Sequence, residues 1–345
     1  MRILITGGCG FIGTNVALFH LKRRHEVVVI DNLSRCGTET NLSLLKKYEN
    51  LKFYKIDIRD REKIYKIFSQ NKDVDIVYHL AAQVAVTTSV LNPYEDFEVN
   101  VLGTLNILEA TRKYLPKTFF VFSSTNKVYG GMENIKIVEK NGKYFAIDYP
   151  NGIDENFNLD FHSPYGCSKG ASDQYVRDYS RIYGLDTVVF RQSCIYGPNQ
   201  FGIEDQGWVA YFCIQAMFDK EIIIYGDGKQ VRDVLYIEDL IDAYWFSYKN
   251  RKKVKGEIFN IGGGFQNQVG ILEFIEYLKK KLDKPIKYKF SNWRPGDQKY
   301  FVSNNKKLFD YLKWQPKINL ENGVSRLIDW ISKTKNTIAK FYKTK

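Results

Sequence analysis

The sequence predicts an α/β protein, a doubly wound parallel sheet carrying a smaller C-terminal substrate-binding lobe. Three observations predict it. Continuous β-branched and aromatic runs alternate with helical patterns through the first half of the chain, as buried parallel strands do. A glycine-rich turn joins the first such run to the first helical stretch. After Arg191 the alternation gives way to short elements punctuated by Gly197-Pro198, Gly226-Asp227-Gly228, Gly262-Gly263-Gly264 and Arg294-Pro295-Gly296.

The strands expected, in order, are Ile3-Leu4-Ile5-Thr6, Val27-Val28-Val29-Ile30-Asp31, Phe53-Tyr54-Lys55-Ile56, Ile76-Val77-Tyr78-His79-Leu80, Thr118 to Phe122 and Val188-Val189-Phe190. Helices cover both faces of such a sheet, and its crossovers are right-handed. Asn100 to Tyr114 reads as a helix stopped by Pro116. Ile135 to Ile147 reads as an inserted hairpin, because Asn141-Gly142 sits between two alternating runs. The Thr118 to Phe122 run ends in Ser123-Ser124-Thr125, which taken alone are turn residues.

With 345 residues, 44% hydrophobic and 26% charged, the chain has the profile of a soluble globular protein, too long for one ordinary core. No window approaches the roughly eighteen apolar residues of a membrane span, so no membrane insertion is expected. Met1 and Arg2 run straight into Ile3-Leu4-Ile5, which leaves no room for a signal peptide. Cys9, Cys36, Cys167, Cys194 and Cys213 form a scattered set without a CxxC pair. They read as thiols of a reducing cytoplasm, and no metal site is expected. A net charge of +12 admits a basic nucleic-acid binder. Groups such as Arg251-Lys252-Lys253 and Lys279-Lys280-Lys281 are spread over the chain without a nucleic-acid motif, however, and no nucleic-acid partner is expected.

The turn after the first strand is Thr6-Gly7-Gly8-Cys9-Gly10-Phe11-Ile12-Gly13, with a helical stretch from Thr14. Glycines at this spacing let backbone approach a pyrophosphate at a helix N-terminus, where the dipole favours anionic oxygens. Asp31 ends the second strand, and a carboxylate there accepts from the adenosine ribose hydroxyls and repels a 2′-phosphate. The cofactor expected is therefore NAD and not NADP, with Arg35 as the nearby residue that argues the other way.

Ser163-Pro164-Tyr165-Gly166-Cys167-Ser168-Lys169 opens a helix with a serine cap and a proline at the first position. Tyr165 and Lys169, four apart, share a face. A free tyrosine titrates near ~10, too high for a base at neutral pH. A neighbouring ammonium and a bound nicotinamide cation are expected to lower it. Thr125, at the end of another strand, can place a hydroxyl beside the same substrate oxygen. Hydroxyl, phenol and ammonium together are the parts that reversible hydride transfer at an alcohol carbon needs. His79 reads as a residue satisfying core polar groups, and Cys194 as packing.

On TGGCGFIG, HLAAQVAV, SSTNKVYG, SPYGCSK, GKQVRDVLYIEDL and WRPGDQ, nearly the whole chain resembles the extended short-chain dehydrogenase/reductases, the NAD-dependent epimerases and dehydratases of nucleotide sugars. Within that family, SSTNKVYG, DFHSPYGCSKG, FRQSCIYG and FGIEDQGWV look most like the CDP-paratose 2-epimerases, also called CDP-tyvelose 2-epimerases. The resemblance implies a Rossmann domain over residues 1–192 and 231–262, and a nucleotide-sugar-binding lobe over 193–230 and 263–345. It implies Thr125, Tyr165 and Lys169 as catalytic residues. Tightly held NAD would be met by Gly7, Gly10, Phe11, Ile12, Gly13, Asp31, Asn32, Asp57, Ile58, Leu80, Ala81, Ala82, Asn100 and Ser123, besides Tyr165 and Lys169. The substrate would be met by Gln83, Val86, Thr87, Asn126 and Gln206, with Arg232 and Arg294 on its pyrophosphate. The stretches Val84 to Thr88 and Gln206-Gly207-Trp208 would line the sugar pocket.

The related 4,6-dehydratases carry an Asp-Glu pair directly after the catalytic threonine, where this chain has Asn126-Lys127. Water elimination is therefore not expected. Relatives also usually have arginine at the place of Asn199, which puts one substrate contact in doubt. The function expected is inversion at C2 of a nucleotide sugar through a transient 2-keto intermediate, by a homo-oligomer (dimer or tetramer) serving surface polysaccharide synthesis. A nucleotide-sugar 4-epimerase uses the same three residues and stays as the alternative. A non-catalytic NAD-binding protein or a basic nucleic-acid binder is a more remote one.

Overall fold

The computed structural model describes residues 1–294 and 296–342; Pro295, in the Arg294-Pro295-Gly296 punctuation, lies outside them. Among the described residues, one sheet holds seven parallel strands. These are β1 (Arg2–Thr6), β2 (Glu26–Asp31), β3 (Leu51–Lys55), β4 (Ile76–His79), β5 (Phe119–Thr125), β6 (Asp186–Gln192) and β7 (Glu257–Ile261), in the order β7-β6-β5-β4-β1-β2-β3. All six expected runs are in it. The seventh strand is an addition: Glu257-Ile258-Phe259-Asn260-Ile261 is broken by two polar residues and carries no continuous apolar run.

Alternate residues along each strand feed separate cores. Leu4, Val28, Val77, Phe120 and Val189 pack on one face, and Ile3, Val27, Ile76, Phe119 and Val188 on the other. Both faces are therefore dry, which is why the strands read as continuous apolar runs. The order reverses between β1 and β4, which opens a crevice beyond their carboxyl ends. His79 closes the floor there, its Nδ1 2.7 Å from Thr6 Oγ1 and its Nε2 2.9 Å from Thr104 Oγ1. It is the core polar residue that the sequence suggested.

The helices that matter for the crevice are α1 (Phe11–Leu21), α2 (Thr38–Leu45), α3 (Gly103–Tyr114) and α4 (Ser163–Tyr183). The helix expected from Asn100 begins with a π-helical turn, Glu98–Leu102, which carries Asn100, before α3 proper. The hairpin is present, with Ile137–Lys140 antiparallel to Lys143–Ala146. Asn141 and Gly142 both sit at positive φ, 53° and 73°, as its two-residue turn requires. A separate small sheet centres on Val231–Tyr236, which pairs with Cys194–Tyr196, Gln268–Gly270 and Tyr300–Phe301. No helix among the described residues is long and apolar enough to cross a membrane.

Ser123-Ser124-Thr125 is not a turn. β5 continues through it, pairing Ser123 with Phe190, Ser124 with Arg191 and Thr125 with Gln192. The hydroxyl of Ser124 is satisfied inside the fold by donating to Asp173 Oδ2 on α4 at 2.8 Å. Asp173 in turn takes Nε and Nη2 of Arg191 at 2.9 and 3.1 Å. The remaining Nη1 of Arg191 donates to the Tyr129 hydroxyl at 3.1 Å, and that hydroxyl donates to Asn260 Oδ1 at 2.7 Å. Both charged side chains of the pair are almost wholly buried. Removing one partner of such a pair leaves the other charge uncompensated. Asp173→Ala should therefore lower unfolding stability by about 3–5 kcal/mol. Urea denaturation checks this, and a loss under about 1 kcal/mol would show that the network contributes little.

Candidate active site

The crevice is a cavity of about 740 Å³. One wall is the glycine turn. Gly7 has φ of +68°, and a side chain there would come within 2.6 Å of the Ala81 nitrogen. A methyl at Gly13 would overlap the Gly7 carbonyl oxygen and lie 2.6 Å from Gly8 Cα. The absence of both side chains lets α1 start directly against the turn. That start, at Gly10, has no side-chain cap and no acidic residue in its first turn. Gly7, Gly10, Phe11, Ile12 and Gly13 line the cavity there.

Further along the same side lie Asp31, Asn32, Asp57 and Ile58, then Leu80, Ala81 and Ala82. The Asp31 carboxylate accepts from the backbone N–H of Cys9 at 2.9 Å and of Leu33 at 2.8 Å. Burial pushes its pKa up, opposed by those N–H groups, that of Gly10 and the charge of Arg35. Arg35 reaches across the cavity and donates to Gln206 Oε1 at 2.7 Å.

The 197–207 segment covers this end. Asn15 Nδ2 on α1 donates to the Pro198 carbonyl at 2.9 Å, and Asn41 Nδ2 on α2 to the Asn199 carbonyl at 3.2 Å. Asn199 lines the cavity at φ of +66°, a conformation asparagine tolerates better than most side chains, and its amide is tied to Asn15 Oδ1 at 3.2 Å. Phe201 fills the space that a side chain on Gly37 would take, and packs edge-on against Trp330 and Phe341.

The other wall carries the hydroxyl, phenol and ammonium expected of the site. Ser163, expected as the cap, is the first residue of α4, with φ of +69°; its Oγ accepts from the Gly166 N–H at 3.2 Å, the bond a serine cap makes. Tyr165 and Lys169 face the cavity from α4, and Ser123, Thr125 and Asn126 from the end of β5. Lys169 Nζ donates to the Ser123 carbonyl at 2.6 Å and lies 4.2 Å from the centre of the Phe122 ring. Thr125 Oγ1 accepts from the Lys127 N–H at 3.3 Å.

The electrostatics correct one expectation. Lys169 does not lower the Tyr165 phenol in the protein by itself. Burial pushes the phenol up to about 12, a hydrogen bond with Thr125 and the charge of Arg35 pull it down, and Asp96 pushes it up further. Lys169 itself is brought down to about 7 by burial, against the pull of Asp173 and Asp96. The same desolvation thus favours the uncharged form of both groups, and a phenolate needs a further positive charge brought in with a ligand.

Gln83, Val86 and Gln206 line the cavity, as do Val84, Ala85, Thr88, Gly207 and Trp208. Thr87, Asn100, Arg232 and Arg294 do not. Thr87 sits on the short helix Val86–Leu91, with a buried hydroxyl that has no hydrogen-bond partner among the described residues. Asn100 works from behind: its Oδ1 accepts from the Gln83 N–H at 2.9 Å, and its Nδ2 donates to the Gln83 carbonyl and to Ser168 Oγ. Arg232 is engaged by the Val231 and Gln298 carbonyls and by Asp297. Arg294 stacks on Tyr225 and reaches the Glu204 carbonyl and Asp205. Cys194 is at the cavity wall, its Sγ accepting from Trp208 Nε1 at 3.3 Å. Lys127 and Ser193 also line it without having been proposed for the site, as does Arg35, named only for its bearing on the choice of cofactor. For Lys127 the signal was its place two residues after Thr125.

The sequence profile of the family described as GDP-mannose 4,6 dehydratase matches residues 4–327 of this chain. The chain is an extended short-chain dehydrogenase/reductase. A CDP-paratose 2-epimerase of Salmonella typhi is 46% identical to it over 337 residues, 96% of this chain and 99% of that protein. The solved UDP-glucose 4-epimerase of Thermotoga maritima with UDP-glucose is 34% identical with a TM-score of 0.82, covering 97% of this chain and 100% of that one. That of Thermus thermophilus in complex with NAD is 30% identical with a TM-score of 0.81, covering 96% and 99%. This dehydrogenase/reductase is thus an enzyme of the nucleotide-sugar epimerase and dehydratase kind, and epimerases are isomerases.

The NAD that the family implies fits the first wall. The glycine cradle and the uncapped start of α1 suit a pyrophosphate, and Asp31 suits ribose hydroxyls. Gly13→Ala should weaken dinucleotide binding by roughly ten- to hundredfold, since overpacking of about 1–3 kcal/mol falls directly on the cradle. Equilibrium dialysis with NAD measures it; unchanged affinity would place the dinucleotide elsewhere.

Proposed function

We propose that the protein is an NAD-dependent epimerase that inverts C2 of a nucleoside-diphosphate sugar, with CDP-paratose as substrate and CDP-tyvelose as product. One observation carries this reading. Directly after Thr125 the cavity wall offers an amide and an ammonium, Asn126 and Lys127, and no pair of carboxylates to act as acid and base in water elimination. What Thr125, Tyr165 and Lys169 can do together is reversible oxidation of an alcohol carbon. The 46% identity to a protein named CDP-paratose 2-epimerase supports C2 over C4.

NAD bound in the glycine cradle would supply the hydride acceptor and donor. Asp31 supports NAD over NADP, and Arg35, turned toward Gln206, is engaged away from a 2′-phosphate. Tyr165, as phenolate, takes the proton from the C2 hydroxyl while Thr125 holds the same oxygen. The 2-keto sugar turns over with its nucleotide anchored, and Tyr165 then returns the proton to the oxygen of the inverted centre. Lys169, at the base of the same wall, is placed to hold the cofactor ribose. Because oxidation and reduction cancel, a cofactor retained through the cycle is sufficient, and purified protein should carry NAD without any being added.

Incubation with CDP-paratose followed by proton NMR tests the reading. The H1–H2 coupling should change with C4 untouched, and deuterium at C2 should stay in the product. Label lost to solvent would indicate deprotonation chemistry, and inversion at C4 would make the enzyme a 4-epimerase. Tyr165→Phe should cut turnover by ~10²–10⁴-fold while leaving NAD bound; an active variant would put the base elsewhere.

The rate should also climb with pH above neutral, because the phenol must lose its proton to act and burial holds that proton on. The Thr125 hydrogen bond favours the phenolate, so Thr125→Val should move the climb to higher pH as well as lower the plateau. An unmoved pH profile would show that Thr125 and Tyr165 are not coupled.

A further inference from the structure

Lys127 is a partly buried ammonium that the reaction scheme leaves unused. It lies in the turn Asn126–Tyr129 immediately after β5, lines the cavity beside Thr125, and donates to the Gly296 carbonyl at 3.0 Å. We propose that Lys127 binds the sugar-linked phosphate of the substrate and so fixes C2, not C4, at the reacting position. The proposal rests on the reading of the site as that of a nucleoside-diphosphate-sugar epimerase.

The charges around Lys127 support an anion there. Arg232 on the small sheet, and Arg294 and Asp297 in the connection that leads into Tyr300–Phe301, face it together with the thiol of Cys194. Arg232 and Lys127 share the carboxylate of Asp297, at 3.3 and 3.9 Å, while Arg294 is paired with Asp205 at 3.4 Å. Burial, then repulsion from Arg232, brings the lysine down to about 8, with Asp297 and Cys194 pulling it back up and Arg294 pushing it further down. A dianion entering the cavity relieves that repulsion. Neither arginine lines the cavity: Arg232 is held by the Gln298 carbonyl and Asp297, and Arg294 by the Glu204 carbonyl and Asp205 of the 197–207 segment. Lys127 is the member of the group that a phosphate in the cavity meets, with the arginines as a positive field behind it.

The chemistry of the substrate agrees with this placement. Only C1 and one oxygen separate C2 from the phosphorus, whereas C4 lies across the ring. With O2 held by Thr125 and Tyr165, the phosphate has to lie close to Thr125. The next side chain along that wall able to offer a charge is Lys127.

The test uses NAD-loaded protein titrated calorimetrically with CDP and with cytidine. Lys127→Met should weaken CDP by about tenfold or more, as loss of a charge-assisted bond does, and leave cytidine and the NAD content unchanged. Parent affinity for CDP should fall between pH 7 and pH 9.5 as Lys127 loses its proton, since the phosphates are already ionised above about pH 7. Lys127→Arg should keep CDP binding and lose that pH dependence, which keeps the proposal testable where the Met variant does not fold. Equal CDP affinity in parent and Lys127→Met, an equal loss for cytidine, or the same pH dependence in Lys127→Arg would each overturn it. If the parent binds UDP and not CDP, the titrations use UDP and uridine. Loss at Lys127 then upholds the phosphate contact and overturns only the choice of base. A parent that inverts C4 while Lys127→Met still loses diphosphate affinity overturns the C2 assignment and upholds the contact.

Discussion

Arg191 and Asp173 meet through two parallel hydrogen bonds inside the protein, and the geometry of the active-site wall follows from that contact. Asp173 belongs to α4, one turn beyond Lys169 and two beyond Tyr165. Arg191 belongs to β6, opposite Ser124 of β5. The pair therefore sets the rotation of α4 about its own axis against the sheet, and Ser124 adds a third tie from the residue next to Thr125. A helix free to turn by a fraction of a residue would carry the phenol off the threonine hydroxyl. Taking both charges out of water is costly, and an apolar pair could hold the layers together as well. What the ion pair adds is direction: a planar guanidinium donates both bonds to its carboxylate in one orientation.

Burial then shapes the chemistry that this wall can perform. Tyr165, Lys169 and Lys127 lie within a short stretch of cavity, and desolvation pushes each of them toward its neutral form. By itself the wall is short of charge. Ligands of complementary charge would restore it, a positive ring beside the phenol and an anionic group beside Lys127.

The sheet was legible in the sequence because two dry faces force continuous apolar runs, and six strands announced themselves that way. β7 did not, since its Glu257 and Asn260 look like loop residues until one sees that Asn260 accepts from the buried Tyr129 hydroxyl. Ser123-Ser124-Thr125 looked like a turn for a related reason: hydroxyls suit a strand interior only when a partner such as Asp173 is supplied from a distant helix. On the site, local spacing was informative and distant spacing was not. The glycine turn and the pair Tyr165 and Lys169 follow from contacts within a few residues. Thr87 lies between Val86 and Thr88, which line the cavity, and its own hydroxyl is buried. Arg232 and Arg294 were placed by motif, but their guanidinium groups are held by Asp297, Gln298, Glu204 and Asp205, contacts that only the folded loops decide.

The cover over the glycine turn is drawn from far along the chain. Asn41 grips Asn199 across 158 residues, and Phe201 beds on Gly37 with Trp330 and Phe341 behind it. During synthesis the early strands and the glycine turn leave the ribosome long before these residues exist, and domains tend to fold in that order. The first part of the site is thus built without its roof, and the chamber closes only when the last tenth of the chain has been made and docked. Closure of that chamber is for that reason a late event in the synthesis of the chain.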